Sequence, residues 1–316
     1  MIDLATRKKL ESLTQLPVIP YVISEILNVV DNTDISASSL AALIEKDQAL
    51  TARVLRVANS PLYGFARRIS TIDLAVVILG LNTIKEIVLS LILRRFYFSI
   101  NRNLFDIDAF WQYTVFCGSA CRALARRLGY KLTGEAFVAG LMHDVGILVI
   151  VEYFSREYAQ IRTLMQLQGF SLTEAEQIII KSNHCDIGFW LAEKWNLPSK
   201  ICATIKNHHS KYLTYKKDLE ADRKRRNLPQ SNEDESDNEL LIAIVALSEW
   251  FAKEMGFVNW MPTQNLPTLF LADSFIDDLR QDDMLAPDSA LEVIKQDIMD
   301  EFNKSSIISE AILKPS

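Results

Sequence analysis

The chain has four histidines, His143, His184, His208 and His209, all lying between positions 143 and 209. His143 is followed directly by Asp144, so an imidazole nitrogen and a carboxylate oxygen stand side by side. Nitrogen combined with oxygen is the ligand chemistry of iron, manganese, zinc or nickel; calcium prefers a shell of oxygens. A helix carrying this pair can offer both groups to one divalent ion, or to two ions bridged by the carboxylate. His208 and His209 are also adjacent, near the end of a helix that begins after Pro198. Neighbouring helical side chains diverge by about 100°, so both could ligate only in a loosened turn or toward different ions. The plainer alternative is that each histidine is a hydrogen-bonded core or surface residue, and the pattern alone does not decide. The four cysteines, Cys117, Cys121, Cys185 and Cys202, form no C-x-x-C pair. They read as reduced, buried thiols that pack as small hydrophobes.

The elements that must position these groups are helices. Leu50, Val54, Val57 and Ala58 fall on one helical stripe, as do Leu74, Val77, Ile78 and Leu81, then Ile84, Ile87, Val88 and Leu91. Asp34 or Ser36, then Asp47, Thr71 and Asn82, are placed to cap helix starts, and Gly80 and Gly129 to close helix ends. From Ala136 to Phe154 the sequence is nearly unbroken apolar helix, interrupted by His143-Asp144 and Gly146; Leu148 to Val151 reads as helix rather than strand. A helix apolar all round is buried on every side, and a His-Asp pair inside it is costly unless paired or metal-bound. The sequence therefore predicts an all-α fold of two helical lobes: 1–104 is the first, 105–256 the second, and 257–316 a C-terminal helical extension with Leu291, Ile294, Ile298 and Phe302 on one stripe. A charged insertion at 216–239, rich in Lys, Arg, Glu and Asp, reads as a solvated surface segment.

Composition narrows the functional classes. The net charge of −6 gives no global attraction to nucleic acid or anionic membrane, leaving only the pairs Arg67-Arg68, Arg94-Arg95 and Arg126-Arg127 as local basic candidates. The N-terminus has no uninterrupted apolar core behind its charges, and the run Ile87 to Leu93 stops at Arg94, far short of the roughly 20 residues that cross a bilayer. A soluble, cytoplasmic protein without membrane or nucleic-acid partners is expected.

The order His143-Asp144-Val145-Gly146, then His184-x-x-x-Gly188 with Leu191, Trp195, Leu197 and Pro198, then His208-His209, resembles the HD superfamily of metal-dependent phosphohydrolases. The first lobe narrows the resemblance to the HDOD branch. Its residues are Leu16-Pro17-x-x-Pro20, Ile44-x-x-Asp47-x-x-Leu50-Thr51-x-x-Val54-Leu55-x-x-Ala58-Asn59-Ser60, Tyr63-Gly64, Ile69-Ser70-Thr71-Ile72 and Ala75-x-x-x-Leu79-Gly80-Leu81. The resemblance covers about residues 12 to 213 and implies a bacterial source. It also implies a metal set of His143, Asp144, His184, His208, His209 and Glu249.

Three positions depart from the catalytic pattern. Where catalytic relatives carry their first histidine ligand this sequence has Tyr113, a poor ligand with an ordinary pKa near 10. Where the HD-GYP branch carries a lysine it has Ile147, and loss of such a charge stabiliser typically costs about 2.7–4 kcal/mol. The final aspartate is matched by Glu249, with Ser248 the other register. The resemblance thus implies a signalling module that acts through a protein partner or a ligand such as a nucleotide, without efficient turnover. Its alternative is a phosphohydrolase of a nucleotide, cyclic dinucleotide or other phosphodiester, with a divalent metal cofactor.

Overall fold

The structure, a computed structural model, describes residues 2–12, 37–60, 68–97, 105–209, 233–261 and 288–313. The motif Leu16-Pro17-x-x-Pro20, the Tyr63-Gly64 pair, the caps at Asp34 and Ser36, and most of the 216–239 insertion lie outside those residues. Every described element is an α-helix: α1 (Leu4–Glu11), α2 (Ala37–Glu45), α3 (Gln48–Ala58), α4 (Ile72–Leu79), α5 (Leu81–Tyr97), α6 (Ile107–Arg127), α7 (Thr133–Met142), α8 (Val145–Tyr153), α9 (Ser155–Gln168), α10 (Leu172–Ile180), α11 (His184–Lys194), α12 (Ser199–Asn207), α13 (Glu233–Glu254) and α14 (Asp288–Leu313).

Local chemistry sets many of the boundaries. The Asp47 carboxylate accepts from the Leu50 N–H at 3.0 Å and the Thr71 hydroxyl from Leu74 at 3.2 Å, each satisfying a donor the first helical turn leaves open. Ser171 and Glu174 form a reciprocal capping box on α10. α6 ends with Gly129 at φ 75° and the Tyr130 N–H returning to the Ala125 carbonyl at 2.8 Å, a left-handed cap that glycine adopts without a Cβ penalty. Asn82 is not a cap: α5 already starts at Leu81, and the Gly80 carbonyl accepts from Ile84 at 3.3 Å, so Asn82 lies inside the first turn.

Two of the three apolar stripes in the first hundred residues face the core. Leu50, Val54, Val57 and Ala58 are buried, as are Ile84, Ile87, Val88 and Leu91. The third is turned around. Leu74, Val77 and Ile78 are exposed, Val77 at 76%, while Ile72, Ala75 and Val76 are buried. α4 is apolar on both sides, and periodicity cannot say which side faces inward when no polar face marks the outside.

α6 is the central strut, packed against α7, α13 and α14. Gly140 lets α7 lie close on it: a Cβ there would sit 2.6 Å from the Cys121 sulfur and 2.7 Å from the Cys117 carbonyl oxygen. The two cysteines are buried in that contact, in keeping with a packing role. α14 is held to α6 by Ile294 and Ile298 and by ion pairs. Glu301 accepts from Arg122 at 2.8 Å and from Arg126 at 2.7 Å, and Asp297 pairs with Arg127. Arg126 and Arg127 are thus engaged by the C-terminal helix. α14 also touches α3 and α5. At the other end of the chain α1 packs on the second region: Asp3 N–H donates to Ser182 at 3.0 Å, Thr6 to the Ile180 carbonyl at 2.8 Å, and Lys9 to Glu157 at 3.0 Å.

The stretch from Thr133 to Tyr153 is apolar and long enough to match a membrane span by composition, yet 94% of its most apolar window is buried inside the fold. It is also not one helix. α7 ends at Met142 and α8 begins at Val145, with Asp144 at φ −98°, ψ 15° between them. The sequence expectation of a continuous helix through His143-Asp144 is corrected here. Just past the break, Gly146 has no Cβ and so lets α8 meet the start of α11 backbone to backbone: a Cβ would sit 2.0 Å from the His184 carbonyl oxygen and 2.7 Å from the Gly188 nitrogen.

Candidate metal centre

The break in the helix puts Asp144 at the hub of a buried polar cluster. Its Oδ2 lies 3.1 Å from His143 Nε2; its Oδ1 lies 3.2 Å from His184 Nε2 and 3.3 Å from His208 Nε2. Glu249, from α13, joins the cluster with Oε1 3.3 Å from His143 Nε2 and Oε2 3.6 Å from His209 Nδ1. The structure therefore brings together all six residues singled out in the sequence. His208 caps the end of α12 and His209 follows it in a turn. Their ring centroids are 4.3 Å apart, so the loosened turn that the adjacent pair required is present. Ser248, the other register for the last acid, points away and donates to the Val245 carbonyl at 2.7 Å.

Hydrogen bonds fix what each ring presents. His143 Nδ1 is 2.7 Å from the Gly140 carbonyl oxygen, His208 Nδ1 2.8 Å from that of Ile205, and His184 Nδ1 2.8 Å from Glu176 Oε2. Carbonyl and carboxylate oxygens only accept, so each Nδ1 must carry the proton, and in the neutral form each ring would turn its Nε2 lone pair toward Asp144. Lone pairs facing a carboxylate need a cation between them. Among the described residues His184 Nε2 and Asp144 Oδ1 are buried without a hydrogen-bond partner, although 3.2 Å apart. Two orphaned acceptors at that distance fit a divalent ion, whose ligands are neutral imidazole and carboxylate.

Without such an ion, protons must fill the same role. Burial opposes charge on His143, but the adjacent Asp144 carboxylate and its hydrogen bonds, with help from Glu249, lift the pKa to about 9. Burial likewise raises Asp144, and the imidazoles of His143, His184 and His208 overcome it, holding the carboxyl well below its usual range. His209 is the exception: burial drives it down to about 3 despite the attraction of Glu249.

Tyr113, Glu176 and Cys185 also build the site. The Tyr113 hydroxyl donates to Asp144 Oδ2 at 3.1 Å, lies 3.1 Å from His143 Nε2 and reaches Glu249 Oε1 at 3.5 Å. Burial, then the nearby Asp144 charge, push its pKa well up, so it stays a donor. Glu176 is buried on α10 and holds both the Nδ1 and the backbone N–H of His184, the latter at 2.9 Å; a carboxylate in that role orients a metal-binding imidazole. The Cys185 sulfur lies 3.8 Å from His208 Nε2. The sequence reading did not single out Glu176, because nothing marks one glutamate on an amphipathic helix, and it read Cys185 as packing. Its adjacency to His184 was the signal available. Ile147 is buried against the core one turn from the dipeptide.

The described helices form an all-α bundle that gathers the four histidines around Asp144 at the break between α7 and α8. The HDOD domain model matches residues 16–211, and the chain belongs to the HDOD domain family. An HDOD domain protein of unknown function from Geobacter sulfurreducens is 25% identical with a TM-score of 0.67, over 93% of this chain and 96% of that one. A Shewanella amazonensis SB2B structure provisionally named a phosphohydrolase shares the fold at 23% identity and a TM-score of 0.65, over 96% and 97%. An uncharacterized Treponema pallidum (strain Nichols) protein is 25% identical over 201 residues, 63% of this chain. The match spans 39% of that relative's length.

Proposed function

We propose that this chain is a signalling module that works by binding a protein partner or a small ligand, without efficient phosphodiester hydrolysis. The Tyr113 hydroxyl carries the reading. It stands within 3.1 Å of both His143 Nε2 and Asp144 Oδ2, at the position where the resemblance expects a first histidine ligand. A protonated phenol there supplies a hydrogen bond to the carboxylate in place of a lone pair to a metal. Two further observations support it. His143, Asp144, His184, His208 and Glu249 are each at most 4% exposed, so a phosphodiester has little access to them. Ile147 offers no charge to a transferring phosphoryl group. The exposed apolar side of α4, with Leu74, Val77 and Ile78, supports contact with a protein.

The cluster nonetheless has the donors for a divalent ion, with His143, Asp144, His184, His208, His209 and Glu249 as its proposed ligands. This convergence favours a second reading, a weak phosphohydrolase acting on a nucleotide or cyclic dinucleotide, in line with the provisional name of the Shewanella relative. A bound ion would supply Lewis acidity toward water or a phosphoryl oxygen. The deciding experiment is turnover of cyclic di-GMP and of a generic phosphodiester by the purified chain with added manganese or iron. The signalling reading expects none above the protein-free control. Turnover that His143→Ala or Asp144→Ala abolishes would overturn it in favour of the hydrolase.

A further inference from the structure

We propose that the cluster holds its ion in a sulfur-containing corner made by His184, Cys185, His208 and His209, and that this chain therefore selects a borderline-soft ion such as zinc. The inference rests on the reading above that the cluster can hold a metal; it narrows the histidine ligands to His184, His208 and His209, adds Cys185 as the fourth ligand and names the class of ion. One ligand atom from each of these four residues lies within 4.8 Å of the others. The three imidazoles enclose the corner, with centroid separations of 5.5 Å for His184 and His208, 5.0 Å for His184 and His209, and 4.3 Å for His208 and His209.

The spacing suits a small tetrahedral ion. With zinc–nitrogen bonds of about 2.05 Å and zinc–sulfur bonds of about 2.3 Å, a tetrahedral N···S edge is about 3.6 Å. The Cys185 sulfur and His208 Nε2 are 3.8 Å apart. The orphaned His184 Nε2 is aimed at this corner, fully buried and oriented by Glu176. Asp144 Oδ1, the other orphaned atom, borders it at 3.2 Å from His184 and 3.3 Å from His208.

The other corner is already engaged. His143, Asp144, His208 and Glu249 also lie within 4.8 Å of one another. His208 Nε2, however, has one lone pair, because Nδ1 is committed to the Ile205 carbonyl. It can serve one ion only, so the two corners cannot both be completed through it. Tyr113 donates into the His143–Asp144–Glu249 corner, which leaves the cysteine corner for the ion. A thiolate ligand favours zinc over manganese or magnesium, which prefer oxygen donors.

Cobalt(II) reports on such a site, since it takes the zinc geometry and gains a near-ultraviolet thiolate charge-transfer band only when sulfur is bound. The metal-depleted chain titrated with cobalt is expected to show that band with the strong visible absorption of a tetrahedral ion. Cys185→Ser should lose the charge-transfer band, whereas Cys117→Ser and Cys202→Ser should keep it. X-ray absorption at the zinc edge of the unmodified chain, which needs no variant to fold, should show one sulfur at about 2.3 Å. A shell of nitrogen and oxygen alone, a band that survives Cys185→Ser, or no binding of either metal would overturn the proposal. A sulfur-free shell would leave the signalling reading intact, and turnover would overturn that reading while leaving sulfur ligation standing.

Discussion

Replacing Gly146 by alanine puts a methyl group where the structure has a carbonyl. The added Cβ would stand 2.0 Å from the His184 oxygen and 2.7 Å from the Gly188 nitrogen. A carbon and an oxygen in ordinary contact are about 3.3 Å apart or more. α8 and α11 would have to separate by roughly 1 Å, and both colliding atoms are backbone, so no side chain can swing away. Overpacking of this kind typically costs about 1–3 kcal/mol, and a backbone collision belongs at or above the upper end. Gly188→Ala is the internal control. Its Cβ would meet Ile205 Cγ2 at 2.9 Å and the Gly146 nitrogen at 3.2 Å, a side-chain methyl and a looser backbone contact. Its cost is expected to be about 1–2 kcal/mol. Urea unfolding followed by far-UV circular dichroism measures both. A Gly146→Ala midpoint matching wild type, or a smaller loss than Gly188→Ala, would refute the close backbone crossing of α8 and α11 at Gly146.

Glu176→Ala leaves the Nδ1–H and backbone N–H of His184 without their buried acceptor; a loss of about 2–3 kcal/mol is expected in denaturant unfolding. The same variant should weaken cobalt binding by about 10- to 100-fold in a spectrophotometric titration. Tyr113→His, which offers a lone pair where the phenol donates, should raise manganese affinity by isothermal titration calorimetry, and an unchanged affinity would count against the role given to the hydroxyl. Glu301 is held below its usual pKa: burial raises it, but Arg122 and Arg126 more than compensate. Its contribution to stability is therefore complete above the ordinary glutamate pKa and is lost as pH falls through the lower folded value, so Glu301→Gln should flatten the acid limb of a stability–pH curve. Val77→Ser, on the exposed side of α4, should change stability by no more than about 0.5 kcal/mol in urea unfolding.

The helical fold and the gathering point of the site were legible because both leave local marks. Asp47, Thr71 and Gly129 punctuate helices by chemistry confined to a few residues. The His-Asp and His-His dipeptides placed rare side chains in an apolar setting. What could not be read depended on partners distant in sequence. The orientation of α4 required knowing what packs on it, since Leu74 and Val76 look alike to a periodicity count. The close crossing of α8 and α11 required knowing that Gly146 meets His184, 38 positions away in the chain. Glu176 acquired its role from the ring it faces, and Cys185 from the turn that brings His208 back to it.

The pairing of Glu301 with Arg122 joins residues 179 apart in sequence. That distance has a consequence for the order in which the chain can mature during synthesis. α6 is made before α14, so the surface that receives Ile294 and Ile298 lacks that cover until Asp288–Leu313 has left the ribosome. Phe116, which stacks on Phe257 and meets Phe302 in the folded chain, gains those contacts only after the later segments have been made. The docking of α14 is therefore a late step that completes the core around α6 after the elements that flank it have been made.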